Sequence, residues 1–455
     1  MSPSSSRSDT TAGAQAVPAA SRTSSLAATA AAVGRYRWTI CWLLFIATTI
    51  NYIDRNVVSI LKQEILIGKL GWTEADYGNV FAWFSLSYAV MQIVTGRIID
   101  RIGLKLGFAA AIIWWSLAAM GHAISGAVAA FTFWRIMRGI GEAANFPASI
   151  KAVSVWFPKR ERALAVGLFN SGTNVGSILT PIAVAWILAI SNWQMVFISL
   201  GALGFVWLAF WWVIYTEPEE NPRLSKEELA YIQSEPEPAV QKIPWSSLIG
   251  LRQTWAFFAG KALTDPVWWF YLFWVPGFLT QRFGVNIAGL TVPLLIIYTL
   301  ASIGSVIGGW IAGFFLKRGW STNAARKMAL FLCAVSVTPV FFTALTDNYW
   351  VAVLLVGLAC AGHQGWSANL FTTTSDMFPK VAVASVTGIG GFGGALAGFA
   401  MGRWVGAWLN AHSTAYLPIF AVFAVMYLFA LLIIHLLVPN IEQAKLGDSS
   451  LPARS

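Results

Sequence analysis

Five ionisable residues fall inside stretches that are otherwise apolar enough to cross a membrane. Asp54 and Arg55 close a run that begins at Trp38, and Arg135, Arg138 and Glu142 share the stretch 127–150. A charge at bilayer depth costs about 2.5–3.5 kcal/mol on insertion scales, so such residues bind, relay protons or pair. At 100° per residue, Arg135 and Glu142 stand about 20° apart on a helix, with Arg138 about 60° from Arg135. One face therefore carries two guanidiniums and, two turns along, a carboxylate. An arginine fork matches a planar carboxylate through two parallel hydrogen bonds. Arg55 or Arg135 is thus a candidate clamp for an organic acid, with Asp54 offsetting charge. Glu142 lies between burial, which disfavours its charge, and Arg138, which favours it, and so is a candidate proton-coupling group together with Asp54. Plainer readings stand beside these: a structural Asp54–Arg55 ion pair, and a permanent Glu142–Arg138 pair.

A second polar set is His363-Gln364-Gly-Trp366-Ser-Ala-Asn369. Amides and an indole suit hydroxyl groups and the flat face of a sugar ring, and histidine can relay a proton. The same residues could equally be packed in a core. Lys261 and Asp265 are spaced to pair along one helix, and Pro266 is expected to break that helix just beyond. Tyr52 and Tyr88 join the candidate binding residues, and Gln92, Asn170, Asn174 and Tyr298 are weaker ones. Cys41, Cys333 and Cys360 all sit in apolar runs, which argues against a disulfide framework or a metal site. No nucleophile–base pair or nucleotide motif appears, which argues against an enzyme. The glycine-rich stretch 388–398 lacks the ending of a phosphate loop and reads as helix packing.

These residues must be held by membrane helices. The 455-residue chain is 57% hydrophobic and 11% charged, less than half the usual charged share. Spans of about 20 apolar residues are expected at 38–60, 75–96, 106–124, 127–150, 162–188, 193–215, 254–280, 288–316, 325–345, 349–375, 382–409 and 416–438. They are numbered here as spans 1 to 12. The expected organisation is a tail 1–34, a six-helix bundle 35–215, a linker 216–253, a second bundle 254–440 and a tail 441–455. The net charge of +10 lies in short loops, a pattern of membrane orientation and not of nucleic-acid binding. The even-numbered loops hold fifteen Lys and Arg and the odd-numbered loops three, which places both termini and the linker in the cytoplasm. The Ser/Ala-rich start reads as a disordered tail, not a signal peptide.

The halves repeat each other. Ser154-Val-Trp-Phe157-Pro158-Lys159 is echoed by Ser375-Asp-Met-Phe378-Pro379-Lys380, and at the same offset Gly141, Glu142 and Gly167 land on Gly362, His363 and Gly388. Such repeats place a ligand site between the halves near the bilayer midplane. Between spans 2 and 3 the chain reads Gly96-Arg-Ile-Ile-Asp100-Arg101-Ile-Gly103-Leu-Lys105. Gly96 is expected to allow close packing and Asp100 to meet a helix N-terminus, while Arg101 and Lys105 latch the halves or simply set topology. This loop resembles the signature of the major facilitator superfamily, and the resemblance covers residues 36 to 440.

Within it, Asn51-Tyr52-Ile-Asp54-Arg55, Arg135 with Glu142, Lys261-Ala-Leu-Thr-Asp265-Pro-Val-Trp-Trp, and the His363 run resemble the anion:cation symporter family, in particular its bacterial hexuronate permeases. The resemblance implies an all-α membrane protein of twelve helices in two pseudo-symmetric six-helix bundles. It also implies a monomer in the bacterial inner membrane, moving a small organic anion with protons and no other cofactor. Its functional residues map onto Asp54, Arg55, Arg135 and Glu142, with Asp100, Arg101, Lys261 and Asp265 as gating or structural groups. Three functions stay open: a proton-coupled sugar-acid symporter, a carrier of another organic anion, and a membrane sensor.

Overall fold

The computed structural model describes residues 34–234 and 245–444. The expected tail 1–34 therefore lies outside the described residues except for Gly34, and so does 445–455. Twelve long helical stretches follow one another, with no strand among the described residues. In the first half these are span 1 (Tyr36–Leu61), span 2 (Glu74–Ile102), span 3 (Leu104–Gly121), span 4 in two pieces (Val128–Glu142 and Asn145–Trp156), span 5 (Lys159–Ile190) and span 6 (Trp193–Ile214). The second half has span 7 in two pieces (Arg252–Phe273 and Val275–Phe283), span 8 (Thr291–Lys317), span 9 (Thr322–Val337), span 10 (Tyr349–Met377), span 11 (Lys380–Ala411) and span 12 (Leu417–Leu437). Seven of these are long and apolar enough by themselves to cross a membrane, and spans 1, 4 and 7, which carry the ionisable residues, fall outside that set. The outer surface exposes Trp42, Trp83, Trp186, Ile190, Val213, Val306, Trp310 and Leu436, the surface of a protein solvated by lipid.

Local chemistry sets the boundaries. Thr73 and Asp76 cap span 2 reciprocally, and Asn192, Ser321 and Asn348 cap spans 6, 9 and 10. Gly103 separates spans 2 and 3 at φ 84°, a conformation that favours glycine. Pro158 and Pro379 start spans 5 and 11 with matching backbone angles, so the sequence repeat is a structural one. Gly141 packs on span 3 and its counterpart Gly362 on span 9. Pro266 does not break span 7. The helix continues through it to Phe273, and the break falls at Trp274, just before Pro276. A proline inside a membrane helix is tolerated where neighbours absorb the lost bond.

The end of the molecule that carries Gly34, the linker and Val438 is called the linker face, and the opposite end the far face. Every described hydrogen bond joining the two halves lies toward the far face. Tyr77 Oη donates to Phe273 O at 2.7 Å, Gln281 Nε2 to Glu74 Oε1 at 3.1 Å, Arg403 Nη1 to Asn79 Oδ1 at 2.8 Å and Ile287 N to Glu64 Oε1 at 2.7 Å. There Gly78 meets the backbone of Gly402 and Gly406, while a Cβ on Gly96, Gly167, Gly309 or Gly388, all nearer the linker face, would meet nothing within 4 Å. The far face is shut and the linker face parted. Gly96 is thus not a packing glycine in this arrangement. Asp100 meets no helix end but pairs with Lys151 of span 4 at 2.7 Å, half-exposed. Arg101 is exposed beside it.

The linker is anchored to the first half. In the helix Lys226–Ile232, Glu228 is buried and accepts from the backbone N–H of Tyr36 and of Arg37, each at 3.1 Å, and from Arg37 Nη1 at 3.0 Å. Arg37 Nε also pairs with Glu161 of span 5 at 2.8 Å. At the other end the segment 441–444 is docked: Ala444 N donates to Met377 O and Ile441 N to Asn323 Oδ1.

Candidate functional site

Spans 1, 2, 4 and 7 bring the predicted residues together. Glu142 ends the first piece of span 4, where the helix loosens at Ala143–Ala144. A helix C-terminus disfavours an anion, and two guanidiniums offset this. Arg55 Nε donates to one carboxylate oxygen, with Nη2 in ion-pair contact with the same oxygen, and Arg138 Nε bonds the other at 2.9 Å. Arg138 continues into span 1, donating to Asp54 O and, at 3.2 Å, to Asn51 O. Arg55 therefore pairs with Glu142 and not with its neighbour Asp54. Consecutive residues point 100° apart on a helix, so Asp54 and Arg55 cannot meet the same partner. All of these side chains are at most 4% exposed.

Aromatic rings frame the cluster. The Arg55 guanidinium lies 4.5 Å from the Tyr52 ring centroid, 5.1 Å from that of Tyr88 and 5.7 Å from that of Phe84. Arg135 sits 4.5 Å above Phe84 and 5.9 Å from Phe273 of span 7. Trp269 of span 7 packs against Phe81, Phe84 and Tyr88, so the site straddles both halves. Arg135 is 1% exposed, and its Nε and Nη1 have no hydrogen-bond partner within the protein. Asp54 Oδ2 and both polar atoms of the Asn51 side chain are likewise unmatched. A buried charge without a partner is costly.

The span 10 residues are placed differently. His363 stacks on Trp268, with ring centroids 4.9 Å apart, and its Nδ1 is 2.6 Å from Tyr427 Oη. Trp366 is fully buried against Tyr427. Asn369 Nδ2 donates to Gly308 O at 2.7 Å and to Gly365 O at 2.9 Å, bracing span 10 against span 8. Gln364 alone of the four remains half-exposed. Lys261 and Asp265 pair at 2.8 Å.

Sequence reasoning missed the far-face groups. Lys62, wholly buried, pairs with Glu74 at 2.7 Å and lies over the Tyr77 ring at 4.8 Å. Its position just past an apolar run made it look like a loop residue. Asn51, Asn145 and Ser149 were also passed over. They are buried polar residues on the same pair of spans, and that recurrence was the available signal.

Comparison with known proteins bears on the family and the fold. The model of the Major Facilitator Superfamily matches residues 44–402. The chain belongs to that superfamily. Superfamily members are transporters and not enzymes, and this chain is a multi-pass helical membrane protein. Among its relatives, the hexuronate transporter of Escherichia coli K12 is 32% identical over 411 residues, covering 89% of this chain and 94% of that one. A D-galactonate transporter of Escherichia coli O6:H1 is 30% identical over 395 residues, covering 83% and 90%. A solved bacterial homolog of the human lysosomal transporter Spinster superimposes with a TM-score of 0.69 at 18% identity, covering 89% of this chain and 97% of that one. The expected fold of twelve helices in two bundles is therefore the superfamily fold.

Proposed function

We propose that this chain is a proton-coupled symporter that imports a sugar acid, in the first place a hexuronate such as glucuronate or galacturonate, by alternating access. The observation that carries the reading is Arg135: a buried guanidinium unmatched at Nε and Nη1, beside a carboxylate held by two other arginines and a second carboxylate with an unmatched oxygen. The similarity to hexuronate and galactonate transporters points the same way.

In this reading the substrate carboxylate docks on the Arg135 guanidinium, whose Nε and Nη1 are both unmatched. Its negative charge draws Arg55 away from Glu142, and Glu142, released from one of its two guanidiniums, takes a proton. Asp54, one residue from Arg55 and unmatched at Oδ2, takes or passes that proton. Tyr52, Tyr88 and Gln364 offer hydroxyl and amide groups to the sugar. With charge balanced, the far-face seam closes above the cavity and the linker face parts below it. The preference of Lys and Arg for the linker face puts that face in the cytoplasm of a bacterium, so the shut far face is periplasmic. Imposing a pH gradient on proteoliposomes and measuring labelled glucuronate uptake tests the reading, with galacturonate, galactonate and an aromatic acid as competitors. Uphill uptake that ignores the pH gradient, or strong competition by the aromatic acid alone, would refute it.

A further inference from the structure

We propose that the Lys261–Asp265 pair fixes how many carboxylates a substrate can carry: it holds the cavity to monoacids, and breaking it would admit a diacid. This deepens the sugar-acid reading and rests on it. Of the three buried arginines, Arg55 and Arg138 pair with Glu142, and only Arg135 has no described carboxylate partner. One unpaired guanidinium receives one carboxylate.

The next cation on the path is Lys261. Its side chain and that of Asp265 are 11% and 16% exposed, so the pair is not fully sealed. It lies on the seam of the halves. Asp265 faces Gly394 of span 11, Lys261 faces Gly390, and Gly391 between them approaches Gln92 of span 2. Trp269, one turn from Asp265, packs on Tyr88, which in turn lies under Arg55. At 1.5 Å per residue the pair stands about 6–12 Å from Trp269 along the helix axis, toward the linker face. Arg135 sits against Phe273, one further turn toward the far face, so the free end of an acid gripped there would point along span 7 toward this pair. There, the charge of Lys261 is already matched by Asp265 at 2.8 Å. A second carboxylate arriving at this point meets the Asp265 anion and no free cation, whereas a neutral hydroxyl or aldehyde end meets two hydrogen-bonding groups.

The test uses purified protein in liposomes preloaded with galacturonate, with uptake of labelled galacturonate opposed by galacturonate or galactarate. The two competitors share one carbon skeleton and differ by the second carboxylate. Galactarate is expected to compete at least tenfold more weakly in the wild type. Asp265→Asn should shift that ratio tenfold or more toward galactarate, and adding Lys261→Gln should remove the shift. Lys261→Gln alone leaves an unpaired anion and should keep galactarate out while weakening galacturonate uptake. Equal competition in the wild type, an unmoved ratio in folded Asp265→Asn, or galactarate entry in Lys261→Gln would overturn the proposal. If galacturonate and every other monoacid fail to exchange, the sugar-acid reading itself falls. If galacturonate exchanges and the ratio is fixed, only the role of this pair falls.

Discussion

Replacing Arg135 with lysine keeps the charge and removes the fork. In the structure neither Nε nor Nη1 has a partner. A docked carboxylate would accept two parallel bonds from one edge of the guanidinium, while an ammonium on a flexible stem supplies one well-directed contact. A hydrogen bond to a charged group contributes about 1.5–3 kcal/mol. Losing one therefore weakens binding by about tenfold to a hundredfold, at tenfold per 1.4 kcal/mol. The Phe84 ring 4.5 Å below still receives a cation, so folding is expected to survive. The assay is the concentration of glucuronate that half-displaces labelled substrate in liposome exchange, compared with the wild type and with Arg55→Lys. Arg55→Lys should disturb Glu142 as well and so change the pH profile together with affinity, whereas Arg135→Lys should change affinity with the profile kept. An Arg135→Lys protein that binds as tightly as the wild type would refute the clamp as drawn.

Glu142→Gln is expected to abolish uphill uptake driven by a pH gradient while substrate exchange persists, and continued accumulation in this variant would assign coupling elsewhere. Asn369→Ala removes one hydrogen bond between spans 8 and 10 and one within span 10, at about 0.5–1.5 kcal/mol each. It should lower the melting temperature in detergent and leave the uptake ratio of two epimeric acids unchanged. Gln364→Ala, by contrast, should move that ratio by about threefold to tenfold with stability kept. Gly78→Val places side-chain atoms against the backbone of Gly402 and Gly406. It should hold the far face open, readable as increased labelling of a cysteine introduced at Asn79 and as loss of uptake.

The fold was legible because lipid imposes one rule on the whole sequence: apolar runs of fixed length, punctuated by charged loops. The repeat was legible because Pro158 and Pro379 force the same backbone geometry twice. Helix angle alone put Arg135, Arg138 and Glu142 on one face, and they do converge. Partner choice was not legible. The sequence shows Asp54 next to Arg55, and only the crossing of spans 1 and 4 reveals that Arg55 reaches Glu142. Nor does residue chemistry alone show that the Asn369 Nδ2 group is used by Gly308 and Gly365. The break in span 7 was assigned to Pro266 because a proline suggests a kink at itself, whereas tertiary packing carried the helix to Trp274.

The cap supplied by Glu228 has a bearing on how the chain is made. The first N–H groups of a helix have no partner within it, and in span 1 those of Tyr36 and Arg37 are matched by a residue 192 and 191 positions downstream, respectively. A nascent chain enters the membrane from its start, and domains form in that order as synthesis proceeds. The start of span 1 must therefore wait, satisfied only by water or headgroups, until all six spans of its half and the first part of the linker have left the ribosome. Arg37 waits in the same way for Glu228, and holds Glu161 of span 5 in the interval. Closing that contact records that the first half is complete. A gene split for co-expression of two fragments should keep residues through Gln233 with the first fragment, because a cut after span 6 would leave its opening turn permanently unfinished.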